Sequence, residues 1–175
     1  MAKKQKTKNG KRRMRPGGGK AKGASFERQV CKELSLWITD GKRTDCFWRS
    51  AMSGGRATVA SKKGVDVRQA GDITAVAPEG TELTDKWFIE CKHVKTLVLD
   101  SFLVKGTGLL AKFWKKCCKE AERHGRLPII IARQNKWPTL IITNRGTLID
   151  WTAPFIRSRR CDITLFHKLT GVRYM

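Results

Sequence analysis

At 175 residues, 40 % of them hydrophobic, the chain is long enough for one domain with a real core and too apolar to be wholly disordered. Lys and Arg outnumber Asp and Glu by 37 to 15, a net +22 at pH 7, which suits a polyanionic partner: nucleic acid before an anionic membrane surface. No stretch reaches the roughly 20 apolar residues of a membrane span, and no apolar run follows the basic N-terminus as in a signal peptide.

Residues 1–23 are rich in Lys and Arg and hold no acid, and Gly17-Gly18-Gly19 adds flexibility. This composition predicts a disordered basic arm, with Arg12, Arg13 and Arg15 following a phosphate backbone, and one folded domain over 24–175. From 24 to 39 the pattern turns helical, with Phe26, Val30, Leu34, Trp37 and Ile38 at helix spacing. Glu27 sits at the edge of that stripe, where it is either a first-turn acid favoured by the helix dipole or a site residue. Asp40-Gly41 ends the helix, and 46–50 reads as a short strand. The following loop, Ser53-Gly54-Gly55-Arg56 through Gly64, carries Lys62 and Lys63; it offers phosphate contacts without P-loop spacing.

A strand is expected over 72–77, turn chemistry at Pro78-Glu79-Gly80, and a hairpin partner over 87–94. Alternation puts Phe88, Glu90, Lys92 and Val94 on one face and Trp87, Ile89, Cys91 and His93 on the other. Asp72, Glu90 and Lys92 therefore stand where strands bury hydrocarbon. Burying a charge costs several kcal/mol unless it is paired or metal-bound. Two carboxylates and a lysine converging there read as a site for a divalent cation and a phosphate; the alternative is a salt-bridge cluster on a solvated sheet face.

A second amphipathic helix spans 107–123, with Leu109, Phe113, Cys117 and Ala121 in one apolar row and Leu110, Trp114 and Cys118 in the next. Its other faces carry Lys112, Lys115, Lys116 and Lys119. The run 128–132 reads as a central strand and 139–142 as its return. Arg157, Arg159 and Arg160 form a second basic cluster. The cysteines (Cys31, Cys46, Cys91, Cys117, Cys118 and Cys161) show neither a Cys-x-x-Cys pair nor a zinc-like spacing with histidine. They read as reduced, mostly buried thiols of a cytosolic protein.

The order of elements, with acids on the first helix and on two strands and a lysine two residues past the last acid, resembles the PD-(D/E)xK nuclease superfamily. Within it the chain looks most like small Holliday-junction resolvases of archaeal and phage type. The matching residues are Gly23-Ala24-Ser25-Phe26-Glu27-Arg28, Arg49-Ser50 with Ser53-Gly54-Gly55, Gly71-Asp72-Ile73, and Glu90-Cys91-Lys92. Gly71 departs from the proline that precedes the family's Asp, Cys91 from its usual apolar middle residue, and Asp66 is a rival to Asp72 in a basic loop.

The resemblance implies an α/β, restriction-endonuclease-like core of α-β-β-β-α-β order, with a central mixed sheet flanked by helices. It implies a Mg²⁺-dependent endonuclease, with Mn²⁺ substituting, that resolves four-way junctions as a homodimer. Asp72, Glu90 and the Cys91 carbonyl would hold the ion, Glu27 would act through water, Lys92 would orient the attacking water or stabilise the transition state, and Ser50 would lie near the scissile phosphate. Arg49, Ser53, Arg56, Lys62, Lys63, Lys112 and Lys116, with the arm, would grip the DNA backbone. A prokaryotic cytoplasm, nucleoid-associated or phage-encoded, fits this reading. Other branched or duplex DNA, or a non-catalytic nucleic-acid-binding protein, are the alternatives.

Overall fold

Phe26, Val30, Cys31, Leu34 and Trp37 recur at helical spacing, and in the computed structural model of the protein they form the buried line of helix α1 (Gly18–Ile38). The structure describes residues 18–50, 70–147, 155–158 and 161–166. Residues 18–23, assigned by composition to the arm, continue the helix, since Lys20, Ala21 and Lys22 are good helix formers. Ser35 joins α1 to the first strand. Its fully buried hydroxyl donates to the Cys31 carbonyl at 2.8 Å and accepts the N–H groups of Cys46 and Phe47 at 3.0 and 3.3 Å.

Strand β1 (Phe47–Arg49) pairs antiparallel with β2 (Ile73–Ala75), Phe47 opposite Ala75 and Arg49 opposite Ile73. The expected hairpin between β2 and the next strand does not form. Pro78–Gly80 is a 3₁₀ turn and Thr81–Lys86 a short helix, α2, pinned by buried Leu83 and Thr84, while the ladder of β2 is taken by β1.

Strand β3 (Trp87–Val94) pairs instead in parallel with β4 (Leu127–Gln134), Glu90 opposite Ile130. A parallel pair needs a crossover, which helix α3 (Gly108–Arg123) supplies after a π-helical turn at Ser101–Lys105. With β5 (Thr139–Asn144), β6 (Phe155–Arg157) and β7 (Cys161–Leu165), all joined antiparallel, the sheet runs β3-β4-β5-β7-β6. This is the mixed central sheet expected, with β3 on its edge.

Two cores lie on its two faces. Trp87, Ile89, Cys91, Ile129, Ile131 and Ile141 pack with α1; Phe88, Ile130, Ala132 and Ile142 pack with α3. At ~1.5–3 kcal/mol for each large apolar side chain buried, these faces outweigh the propensity of any single element. Leu109 departs from the expected row: it is exposed, and the buried line of α3 is Leu110, Cys117 and Ala121 with Phe113 and Trp114 half-buried. All six cysteines are free thiols, Cys118 half-buried and the rest buried.

Candidate active site

The edge of β3 is where the charged residues meet. Asp72, just before β2, donates its N–H to the Ile89 carbonyl at 2.8 Å, and its Oδ2 accepts the Cys91 N–H at 2.8 Å. Backbone and side chain of Asp72 thus take the place of a neighbouring strand along an edge that would otherwise lack partners. Gly71 makes the approach possible. Its φ is +88°, and a Cβ there would lie 2.6 Å from the Ile89 carbonyl oxygen. This is the reason glycine precedes Asp72, where the resemblance has proline. Ser50 extends the β1–β2 ladder: it is buried, and its N–H donates to the Asp72 carbonyl at 2.9 Å.

Strand period carries Glu90 and Lys92 to one face, as expected, and their side chains pair at 2.5 Å. The Lys92 ammonium also lies 3.5 Å from Asp72 Oδ2 and 3.1 Å from the Cys91 carbonyl oxygen. One cation is therefore held by two carboxylates and a backbone carbonyl. Phe113 of α3 lies beneath it, 5.7 Å from ammonium to ring centroid, a neighbour that sequence reading placed only in the core. Lys116, on the same helix, reaches to 4.0 Å from Glu90 Oε1. Lys112 is exposed on α3.

Burial, then the charge of Glu90, pushes the Asp72 carboxyl up from 3.8 to about 6 against the pull of Lys92 and the Cys91 N–H. Burial works to lower Lys92, but Asp72 and Glu90 outweigh it and hold the ammonium above its ordinary value. Burial raises the Cys91 thiol well above its usual range, so this residue offers the site its carbonyl rather than a thiolate.

Glu27 does not join the cluster directly. It pairs with Arg49 Nε at 2.5 Å, linking α1 to β1, and adds only the weakest of the charges that raise Asp72. Arg49 is accordingly engaged by an acid rather than open to solvent on its own. The other expected contacts, Arg12, Arg13, Arg15, Ser53, Arg56, Lys62 and Lys63, and the rival Asp66, lie outside the described residues.

Among the described residues no three His, Cys, Asp or Glu side chains gather closely enough to hold a metal ion by themselves. Mg²⁺ does not require that: it is commonly held by one or two carboxylates, waters and substrate phosphates. The Asp72 and Glu90 carboxylates with the Cys91 carbonyl, already grouped around an ammonium, fit such an ion.

On the opposite face of β3, His93 stands one residue past Lys92, its ring 5.3 Å from that of Phe26. Burial, then Lys22 and Arg133, push its pKa down. This basic surroundings was not singled out from sequence, because Lys22, His93 and Arg133 come from three separated elements.

A mixed sheet flanked by helices, with an Asp set against a Glu-x-Lys strand edge, defines the PD-(D/E)xK nuclease superfamily. The chain belongs to the phage putative PDDEXK endonuclease family, whose model matches residues 18–161 and so spans all four of Glu27, Asp72, Glu90 and Lys92. No curated protein and no solved structure matches it. No helix among the described residues is long and apolar enough to cross a membrane.

Proposed function

We propose that the protein is a Mg²⁺-dependent DNA endonuclease, with Mn²⁺ able to substitute, and that its substrate is a four-way junction cut by a homodimer. One observation carries the nuclease reading: Asp72, Glu90 and the Cys91 carbonyl all turn their oxygens on a single cation, the Lys92 ammonium. A merely structural salt bridge does not need a second buried carboxylate whose ionisation is disfavoured. A site built to receive a divalent cation does.

Asp72, Glu90 and the Cys91 carbonyl would hold the ion, with Glu27 acting through water. When bound, Mg²⁺ supplies Lewis-acid polarisation of the scissile phosphate and a water of lowered pKa. Lys92, displaced from the carboxylates, orients the attacking water or stabilises negative charge on the transition state. Ser50, whose N–H donates to the Asp72 carbonyl, would lie near the scissile phosphate, as the resemblance implies. Lys112 and Lys116 grip the backbone without reading bases, and the net +22 brings DNA to the site.

The junction and the dimer rest on the resemblance to resolvases and on symmetry: two matched incisions on a four-way junction suit two active sites related by a twofold axis.

Incision of a four-way junction, a flap, a single strand and linear duplex, with and without Mg²⁺, tests this. The expected result is paired, symmetric junction nicks that vanish in Asp72→Ala and Lys92→Ala while binding persists. Equal cutting of linear duplex would remove the resolvase reading and leave the nuclease. Full activity in Asp72→Ala would remove the assigned site.

A further inference from the structure

The β4–β5 turn, one strand in from the active edge, separates two concavities that the catalytic reading does not use. On one side is an open cleft of about 540 Å³ lined by His93, Arg133, Asn135 and Lys136. On the other is a groove of about 510 Å³ walled by Leu97, Leu99, Leu103 and Leu140. Each falls in the ~300–1,000 Å³ range of ligand sites. Trp137 and Pro138 line both.

The cleft is lined by two cations, Arg133 and Lys136, and Lys22 stands beside it. Lys22 donates to Asn135 Oδ1, Arg133 donates to Gln29 and Thr139, and Lys136 is exposed. Among the described residues none of the three forms an ion pair, while Arg49 of β1 does. Trp137 is 52 % exposed, a large apolar surface left to water beside those cations. Its turn is nonetheless braced: the Trp137 N–H donates to the Gln134 carbonyl, the Asn135 N–H to the Val94 carbonyl, and the Leu97 N–H to Gln134 Oε1. An aromatic side chain on a braced turn, with apolar walls on one side and, on the other, cations that form no ion pair among the described residues, matches a nucleotide: base against the ring, phosphate in the cleft. Asp100, the acid lining the groove, would repel a phosphate there and can accept a hydrogen bond from a base amino group.

We infer that this two-sided site binds an unpaired nucleotide of a DNA strand, its base stacked on Trp137 in the groove and its phosphate held by Lys22, Arg133 and Lys136. A base inside a duplex has both π-faces covered by stacked neighbours and cannot use the ring. The site therefore selects DNA with a single-stranded or opened segment, held on the face of β3 opposite Glu90 and Lys92, where His93 lines the cleft. The inference deepens the nuclease reading by naming what part of the substrate is held, yet its binding step needs no metal.

The test is equilibrium binding of the full-length protein in EDTA to a single-stranded oligodeoxynucleotide and to a blunt duplex of equal length. Trp137→Ala is expected to weaken single-strand binding about tenfold and leave duplex binding unchanged, with Trp137→Phe close to wild type. Lys136→Ala is expected to lower the salt dependence of single-strand binding by about 0.7 in slope. An unaltered melting temperature separates these effects from misfolding. Single-strand affinity unchanged in Trp137→Ala, or lost equally for duplex, would overturn the site, as would a free mononucleotide binding as tightly as the strand. If Trp137→Ala behaves as expected while wild type cuts nothing with Mg²⁺, the nucleotide site stands and the nuclease reading falls.

Discussion

Replacing Asp72 with Asn should make the metal-free protein more stable at neutral pH, although Asp72 accepts a hydrogen bond and touches a lysine. The folded state raises the Asp72 carboxyl from 3.8 to about 6, so Asp72 binds its proton more tightly folded than unfolded. Its contribution to stability is fully present below pH 3.8 and is lost as pH rises through about 6. By pH 7.5 the ionised group costs about 3 kcal/mol relative to the protonated one, from a rise of 3.8 to about 6.

Asn imitates the protonated form and can still accept the Cys91 N–H. In a chain of this size that difference corresponds to roughly 6–12 °C in melting temperature. Urea unfolding in EDTA at pH 7.5 and at pH 3.5 measures it: a gap favouring Asp72→Asn at the higher pH should close at the lower. Saturating Mg²⁺ should narrow the gap by stabilising wild type alone, since a ligand of the folded state stabilises it by mass action. If Asp72→Asn is the less stable protein at pH 7.5 in EDTA, Asp72 is a stabilising ion-pair partner of Lys92, and the reasoning that assigns it to a cation site fails.

Three further variants have expected outcomes. Gly71→Ala should lose about 2 kcal/mol or more of stability, measured by denaturant unfolding, because the new Cβ meets the Ile89 carbonyl oxygen at 2.6 Å with φ at +88°. Ser35→Ala should cost about 1–3 kcal/mol in the same assay by leaving the Cys46 and Phe47 amides without their buried acceptor. Lys92→Ala should bind Mn²⁺ more tightly than wild type in a calorimetric titration without DNA, as the competing ammonium is gone. The same variant should cut DNA at least about 10²-fold more slowly.

The strands and helices were legible wherever a local pattern was long enough to state itself. The 3.6-residue recurrence from Phe26 to Trp37 gave α1, and the alternation through 87–94 placed Glu90 with Lys92. The short helix Thr81–Lys86 was not legible, since six residues barely exceed one turn and carry no period. Strand β7 was missed for a related reason, although buried Asp162, paired with Arg157 and accepting the Gly146 N–H, is the same signal of a charge in an apolar run that drew attention to Asp72.

The sequence by itself determined part of the candidate site: that Glu90 and Lys92 stand in one strand and share a face, because a strand's two-residue period is a local property. Only the tertiary structure decided that Asp72 lies against the edge of β3, that β3 pairs in parallel with β4 rather than back onto β2, and that Glu27 is held by Arg49. Those are contacts between segments far apart in the chain. They are fixed by which apolar faces bury one another and by a single glycine that lets two backbones touch, neither of which leaves a periodic mark in the sequence.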